Sequence, residues 1–487
     1  MLLGRGGPEG DWLLVMPPRF DINRLEWGPA VRACRYRVLA ACTAVILQAS
    51  VQYAAAADAA LPPRAPVADV YSWTGLYLGG KLGTDFGTAR YVRPFAAGSD
   101  TSIGSAARGL DAGAYGGANL QVLPWLVLGV EGEYSTLRTG YRELGPSIDF
   151  LQASKHVAAV SGRVGLAMAP GSMVYAKAGP AWLDTQGVQG FGTPFQKTLN
   201  AELFAVGVEA LATRNIAVRA EAAYIRSRDI LQLNQGFDQY RPTVLEVTVG
   251  AAVKLDGPPG IGSAPAAAPQ SGPMFYKAAV AAPAAHWTGF EVGGFGSFNG
   301  DQMRYLGSIA GQNNEQGPYT DGVFGGGWLV GGNVQIYPSV VGGLELEGNY
   351  QKANFNDANG VGLPPKSFHF ASTNEVYALA VRLGWLPTPS TLVYAKGGPA
   401  MLKVTPDPNY WNALAAGAQT QPVWLDGLQY GAGAETFINS YFSIRVEGLY
   451  TQVFPEPTQL LFFGNQPLPI RLKPSLLTGT LGAAVHF

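Results

Sequence analysis

The sequence predicts an all-β protein built as two tandem eight-stranded antiparallel up-and-down transmembrane β-barrels. One merged sixteen-stranded barrel is the alternative. Three observations carry this prediction. The chain repeats itself, each repeat is a series of apolar/polar alternations, and the repeats differ in length only in every second connection.

The repeat is clearest at Val174-Tyr175-Ala176-Lys177-Ala178-Gly179-Pro180-Ala181. It returns as Val393-Tyr394-Ala395-Lys396-Gly397-Gly398-Pro399-Ala400. Trp73-Thr74-Gly75 corresponds to Trp287-Thr288-Gly289 at an offset of 214, and Glu131 and Glu133 correspond to Glu345 and Glu347 at the same offset. Arg163 and Lys177 match Arg382 and Lys396 at 219. Glu209, Arg219 and Glu221 match Glu435, Arg445 and Glu447 at 226, and Gly250-Ala251-Ala252-Val253 matches Gly482-Ala483-Ala484-Val485 at 232. The offset never changes across Leu123–Leu126, Ala169–Ser172 or Thr213–Asn215. Tight turns resist insertion and long connections accept it. Turns and loops therefore alternate, one kind at each rim of a barrel.

The chain begins with a predicted N-terminal extension and signal peptide over residues 1–56. Arg32, Arg35 and Arg37 precede the apolar run Val38–Leu47, and the small residues Ala54-Ala55-Ala56 follow. That run is shorter than the ~20 residues a spanning helix needs. Cys34 and Cys42 are the only cysteines and both lie here, so the mature chain is expected to have no disulfide or thiolate metal site. A spacer over 57–70 leads to the first barrel, 71–255. An Ala/Pro-rich linker, 256–286, leads to the second, 287–487. Net charge is −1, which points to no nucleic acid partner; 64 glycines and only 14% charged residues suit short strands more than helices.

Each strand places its charges on one face. Leu76, Leu78 and Leu82 oppose Tyr77 and Lys81, while Leu120 and Val122 oppose Asn119 and Gln121. Leu126, Leu128, Val130 and Tyr134 oppose Glu131 and Glu133. Ala158, Val160, Val164 and Leu166 oppose Ser161 and Arg163; Val174 and Ala176 oppose Tyr175 and Lys177. Phe204, Val206 and Val208 oppose Glu209; Ile216, Val218 and Ala220 oppose Arg219 and Glu221; Leu245, Val247 and Val249 oppose Glu246 and Thr248. The second repeat follows suit. With roughly ten-residue strands in an exported chain, this reads as lipid outside and polar groups inside. A basic residue facing lipid at mid-depth costs ~2–4 kcal/mol, so its absence from the greasy face is informative. The expected lumen charge network is Lys81, Glu131, Glu133, Arg163, Lys177, Glu209, Arg219 and Glu221, with Glu345, Glu347, Arg382, Lys396, Glu435, Arg445 and Glu447 in the second repeat. Lys254 and Glu246 add to the balance. Eight strands leave room only for side chains, so such an interior is a salt-bridged plug. Long connections are expected at Thr84–Arg108, Leu137–Ser154, Asp184–Leu199, Ser227–Arg241, Thr405–Pro422 and Phe454–Pro469.

Trp73-Thr74-Gly75-Leu76-Tyr77-Leu78-Gly79-Gly80, Gly129-Val130-Glu131-Gly132-Glu133-Tyr134, Val174-Tyr175-Ala176 with Gly179, and the terminal Phe487 together resemble the small outer-membrane barrels of alphaproteobacteria, the surface-antigen and porin-like group. The resemblance covers both repeats. It implies an eight-stranded barrel in the cell outer membrane, with a role in envelope integrity, surface display or modest permeability. It also implies that outer-membrane lipid and the barrel assembly machinery are partners, the latter reading Phe487. That family usually has one barrel per chain, so a tandem form departs from its pattern. Loops are expected outside the cell and both termini in the periplasm.

Catalytic readings are weaker. Gly75 to Lys81 spells G-x-x-x-x-G-K, but Leu82 stands where a phosphate loop needs Ser or Thr, and no helix pattern follows. Glu131 and Glu133 are spaced about 7 Å apart by the strand rise, a distance compatible with glycoside hydrolysis or with two lumen charges held by Arg163 and Arg219. His156, His286, His369 and His486 show no metal spacing, and His369 and Ser372, three apart, fall on opposite strand faces. No catalytic, cofactor or metal site is therefore predicted. Trp125, Trp182, Trp328, Trp385 and Trp424 are candidates for interfacial girdles.

Overall fold

Alternation with period two becomes strand wherever it was read. The computed structural model describes residues 72–92, 100–101, 108–144, 149–169, 171–189, 193–233, 238–255, 286–309, 312–357, 368–409, 421–454, 460–463, 466–469 and 471–487. The first set of strands is β1 (Gly75–Val92), β2 (Asp100–Thr101), β3 (Arg108–Leu123), β4 (Leu126–Leu144), β5 (Asp149–Ala169), β6 (Ser172–Gln189), β7 (Thr193–Leu211), β8 (Ile216–Ser227), β9 (Leu231–Leu233) and β10 (Asp238–Lys254). The second is β11 (Gly289–Ile309), β12 (Gln312–Tyr337), β13 (Val340–Asp357), β14 (Phe368–Thr388), β15 (Thr391–Pro406), β16 (Val423–Phe437), β17 (Phe442–Val453), β18 (Leu460–Phe463), β19 (Gln466–Pro469) and β20 (Arg471–His486).

Neighbours pair antiparallel in the order β1-β3-β4-β5-β6-β7-β8-β10, and β1 closes the ring on β10 from Tyr77↔Lys254 to Val92↔Gln239. The second ring runs β11-β12-β13-β14-β15-β16-β17-β20 and closes from Glu291↔His486 to Leu306↔Arg471. Each repeat thus satisfies its own edge strands, and the merged sixteen-stranded alternative is overturned. Four short strands flank these rings: β2 and β9 extend the first, and β18 and β19 form a separate hairpin. Both rings belong to one compact unit of the chain.

The strands exceed the ten residues expected: β5 has 21 and β12 has 26. About ten residues suffice to cross hydrocarbon, so the surplus prolongs the wall at the loop end. Much of what reads as loop is consequently strand. β4 continues to Leu144 and β5 resumes at Asp149, inside Leu137–Ser154; β6 and β7 likewise take most of Asp184–Leu199. At the other end the turns are as tight as expected. Gly171 links Ala169 to its partner Ser172 with φ of 76°, a left-handed conformation that only glycine adopts without a Cβ clash.

The greasy face points out. Leu76, Leu78, Leu82, Val130, Val160 and Val164 are exposed, as are Val330, Val381 and Leu383 in the second barrel. Aromatic rings border this band on both sides: Trp125, Tyr337, Trp385 and Phe442 near the tight turns, and Tyr134, Trp182, Trp328, Tyr350, Tyr377 and Trp424 towards the loops. Trp328, Tyr350, Tyr377 and Trp424 touch edge to face or tilted, and Trp328 donates to the Tyr350 hydroxyl. Tyr377 and Trp385 are eight residues apart on β14, about 26 Å along the strand. With a tilt of ~40° this spans roughly 20 Å of membrane normal, close to the ~25 Å apolar band of such barrels.

The interior is less polar than expected. Towards the loops it is a hydrophobic core: Leu137, Val157, Leu183, Leu203, Ile225 and Val244 in the first barrel, and Met303, Phe355, Phe370, Leu402, Leu425 and Leu476 in the second. The wall there stands above the ten-residue crossing, and the narrow bore has to be filled by side chains.

Candidate functional site

All fifteen predicted lumen charges lie inside the barrels and are buried. In the first barrel Glu131 on β4 is the hub. Lys177 Nζ on β6 donates to its Oε1 at 2.7 Å, and Arg219 Nη1 on β8 and the Tyr77 hydroxyl on β1 each reach its Oε2 at 2.8 Å. Lys177 also contacts Glu133 at 2.5 Å and Glu221 at 3.0 Å. Arg163 pairs with Glu209, and its guanidinium lies over the Tyr175 ring at 3.7 Å. Arg219 lies 3.3 Å from the Tyr115 ring centroid. One level nearer the loops, Lys81 sits 2.9 Å from Glu246, which also accepts from Ser135 at 3.0 Å. Lys254 donates to the Ser72 carbonyl at the turn end.

The second barrel repeats the hub. Lys396 contacts Glu345 at 2.6 Å, Glu347 at 2.6 Å and Glu447 at 3.0 Å. Arg445 contacts Glu345 at 2.5 Å, and Arg382 pairs with Glu435 while covering the Tyr394 ring at 3.7 Å. Glycines opposite the tyrosines make room for the rings: a Cβ on Gly207 would come within 2.5 Å of Tyr175 Cζ, and one on Gly433 within 3.0 Å of the Tyr394 hydroxyl.

Several members escape a search for repeated charges. Parity puts Tyr77 and Tyr175 on the inward face without a role; together with Tyr115 and Tyr394, their rings or hydroxyls complete the cluster. Glu291 is new, because its counterpart in the first repeat is Tyr77. Its inward parity, between the outward Phe290 and Val292, is the signal that finds it. It contacts Arg445 at 2.9 Å and Arg382 at 3.2 Å. His486, paired across the seam with Glu291, lies 3.1 Å from Glu435.

Two of these groups have the shape of a metal cage. Glu345, Glu347 and Glu447 converge, as do Glu291, Glu435 and His486. The Lys396 ammonium already fills the first convergence, and Arg445 reaches both carboxylates of the second, at 2.9 and 3.4 Å. The donor sets are therefore matched to cations of the protein itself. The Glu131–Glu133 pair is bridged in the same way by Lys177. His369 bonds Asp407 at 2.8 Å, with Ser372 buried on its own strand. The Gly75–Lys81 segment is the first half of β1.

Each bore is closed on the turn side by the tryptophan of the Trp-Thr-Gly motif. Trp73 packs with Tyr77, Tyr115, Val127 and Met173. Trp287 packs with Val341, Leu392 and Phe437, and its indole donates to the Pro389 carbonyl at 2.9 Å. From turn end to loop end the interior thus runs from a tryptophan-capped cluster through the ionic hub to a hydrophobic core, aliphatic in the first barrel and mixed with Tyr319, Phe355 and Phe370 in the second.

Residues 45–252 match the family model described as "Outer membrane protein beta-barrel domain". Among solved structures the chain is similar to Ail, the attachment invasion locus protein of Yersinia pestis, at 14% identity, covering 37% of this chain and 98% of that one with a TM-score of 0.22. OprG of Pseudomonas aeruginosa gives 15% identity, 42% and 99% coverage and a TM-score of 0.28. The toluene transporter TodX of Pseudomonas putida gives 10%, 85% and 90%, and 0.24. No curated protein matches. The chain folds into two closed antiparallel barrels, and the stretch matched by the outer-membrane β-barrel domain, residues 45–252, takes in nearly all of the first.

Proposed function

We propose that the protein serves a structural and surface-display role in the outer membrane, with at most modest passive permeability. The loop end faces outside the cell and the turn end, with both termini, faces the periplasm. One observation carries the reading: each bore is filled along its length. Trp73 or Trp287 blocks the turn end, the buried ion-pair hub fills the middle, and a hydrophobic core fills the loop end. Eight-stranded walls enclose little more than side chains, and among the described residues those side chains occupy the bore that a solute would have to follow. Outer-membrane lipid contacts the greasy faces, and the barrel assembly machinery receives the exposed ring of Phe487, whose backbone exchanges hydrogen bonds with Phe290 beside the β11–β20 seam. The repeat, with boundaries at 71–255 and 287–487, arises by tandem duplication of a one-barrel unit like those of the alphaproteobacterial surface-antigen group. Planar-bilayer recording on the purified full chain tests the sealed bores. Silence or rare small steps are expected, and large stable steps would overturn the reading.

A further inference from the structure

Residues on the greasy faces should meet lipid, yet one stripe on each barrel does not. Val208 and Ala220 are 0% and 4% exposed although they alternate with Glu209 and Glu221; Ala434 and Val446, at 1% each, alternate with Glu435 and Glu447. These four form one apolar cluster with Val174, Ala222 and Val393. By the repeat offsets, Val208 corresponds to Ala434, Ala220 to Val446 and Val174 to Val393. Each barrel therefore presents the same patch to the other. A second cluster joins Phe86, Leu245 and Val247 to Leu477, Phe298 and Tyr450, and Leu245 corresponds to Leu477.

Some positions meet their own counterparts, as happens only on a two-fold axis. Ser172 Oγ lies 2.5 Å from Thr391 Oγ1, 219 residues on. A Cβ on Gly479 would lie 3.7 Å from Val247, 232 residues earlier. Gly300 leaves the space that the Phe86 ring occupies, at an offset of 214. Contacts off the axis are reciprocal: Gly448 lies against Val247, and its counterpart Ala222 lies against Gly479, the counterpart of Val247. Ser172 is at the turn end and Phe86 well along β1 towards the loops, so the axis runs along the barrels and both point the same way.

We propose that the two barrels are a covalently linked pair that associates side by side in the membrane through this stripe, each built for the other. The proposal rests on the outer-membrane reading above. Apolar area drives little association in lipid, where close approach of small residues does the work, and Gly300, Gly448, Gly479, Ala220 and Ala434 supply it. The on-axis residues also choose the partner. Two first barrels would set Phe86 against Phe86 and Val247 against Val247. Two second barrels would leave Gly300 facing Gly300 across a void. Only the mixed pair puts a knob into a hole at both places, so specificity is built in by shape.

The test uses the full chain with Cys34→Ser and Cys42→Ser, a protease site placed in the 256–286 linker, and the pair Ser172→Cys with Thr391→Cys, oxidised in outer membranes of a Gram-negative host. After cleavage the two halves should stay joined without reductant, at least tenfold more than with Leu128→Cys and Leu346→Cys, which face lipid. Gly300→Phe should cut that yield at least fivefold while each half keeps its heat-modifiable mobility, and adding Phe86→Gly should restore it by reversing knob and hole. Equal yield at the lipid-facing pair, joining only between separate chains, or indifference to Gly300→Phe would overturn the pairing. Heat-modifiable halves that never cross-link defeat the pairing alone; halves that are not heat-modifiable defeat the membrane reading and the pairing with it.

Discussion

The two barrels share a hub and differ in what lies next to it. Glu131, Glu133, Arg163, Lys177, Glu209, Arg219 and Glu221 have identical counterparts in Glu345, Glu347, Arg382, Lys396, Glu435, Arg445 and Glu447, with near-identical contacts. On the loop side, the first barrel continues with charge, through Lys81 and Glu246. The second has Phe295 and Thr478 at those positions and changes to a neutral ladder: Ser297 donates to Asn349, and Asn349 and Thr478 both donate to Asn299, at 2.8 to 2.9 Å. On the turn side, the paired Tyr77 and Lys254 become Glu291 and His486. The central seven thus recur as one mutually paired unit, whereas the levels above and below admit more than one way of pairing buried polar groups.

The comparison breaks most visibly at the hub lysines. Lys177→Met should destabilise the first barrel by about 3–5 kcal/mol, because it strands buried carboxylates that were paired. Lys396→Met should cost the second barrel more. There three basic side chains, Arg382, Lys396 and Arg445, face the five glutamates Glu291, Glu345, Glu347, Glu435 and Glu447, with His486 beside two of them; in the first, Lys81, Arg163, Lys177 and Arg219 face the five glutamates Glu131, Glu133, Glu209, Glu221 and Glu246, with Asp111 beside Glu246. Urea unfolding of the full chain in lipid vesicles, followed by the heat-modifiable mobility of each half, measures both. Equal losses would mean that the local charge ratio is irrelevant.

The next effect is smaller and sharper. Lys81→Met keeps the length of the side chain but leaves Glu246 without its cation, at about 3 kcal/mol. Adding Glu246→Thr, the residue type of the second barrel, should return the first to within ~1 kcal/mol of its starting stability, since removing both partners spares the desolvation cost of an orphan. A double variant as unstable as the single one would show that the first barrel requires charge at this level.

Strand parity and the repeat made much of this legible. Every charge that alternates with an aliphatic neighbour could be assigned a face, and repetition at a fixed offset marked which charges act together. Three things were hidden. Lys81 has no charged counterpart and Glu291 answers to a tyrosine, so offset matching does not recognise the level each belongs to. The aliphatic filling at the loop end of the first barrel was also missed, because Leu137 opens the segment Leu137–Ser154, whose Gly, Pro and Gln content reads as loop, while pairing of β4 with β5 out to Leu144 prolongs it as wall. Burial of Val208 and Ala220 between the barrels depends on a partner surface some 226 residues distant, which period-two alternation within a single strand does not encode.

The smallest expected effect concerns the turn-side swap. The Tyr77 hydroxyl donates to Glu131 at 2.8 Å, and a hydrogen bond to a charged acceptor is worth about 1.5–3 kcal/mol. Tyr77→Phe keeps the ring, and Glu131 retains Lys177 and Arg219, so a loss near the lower end of that range is expected. Glu291 in the second barrel plays no such donating part; it accepts from Arg382 and Arg445 instead. Glu291→Gln should therefore unbalance two guanidinium groups and cost more than Tyr77→Phe, although the two positions correspond. Unfolding midpoints of the two variants, compared in the same vesicles, decide the point. If the tyrosine variant is the less stable, its hydroxyl matters more to the hub than two buried ion pairs at the equivalent place, and the turn-side residues would have to be counted as part of the shared unit.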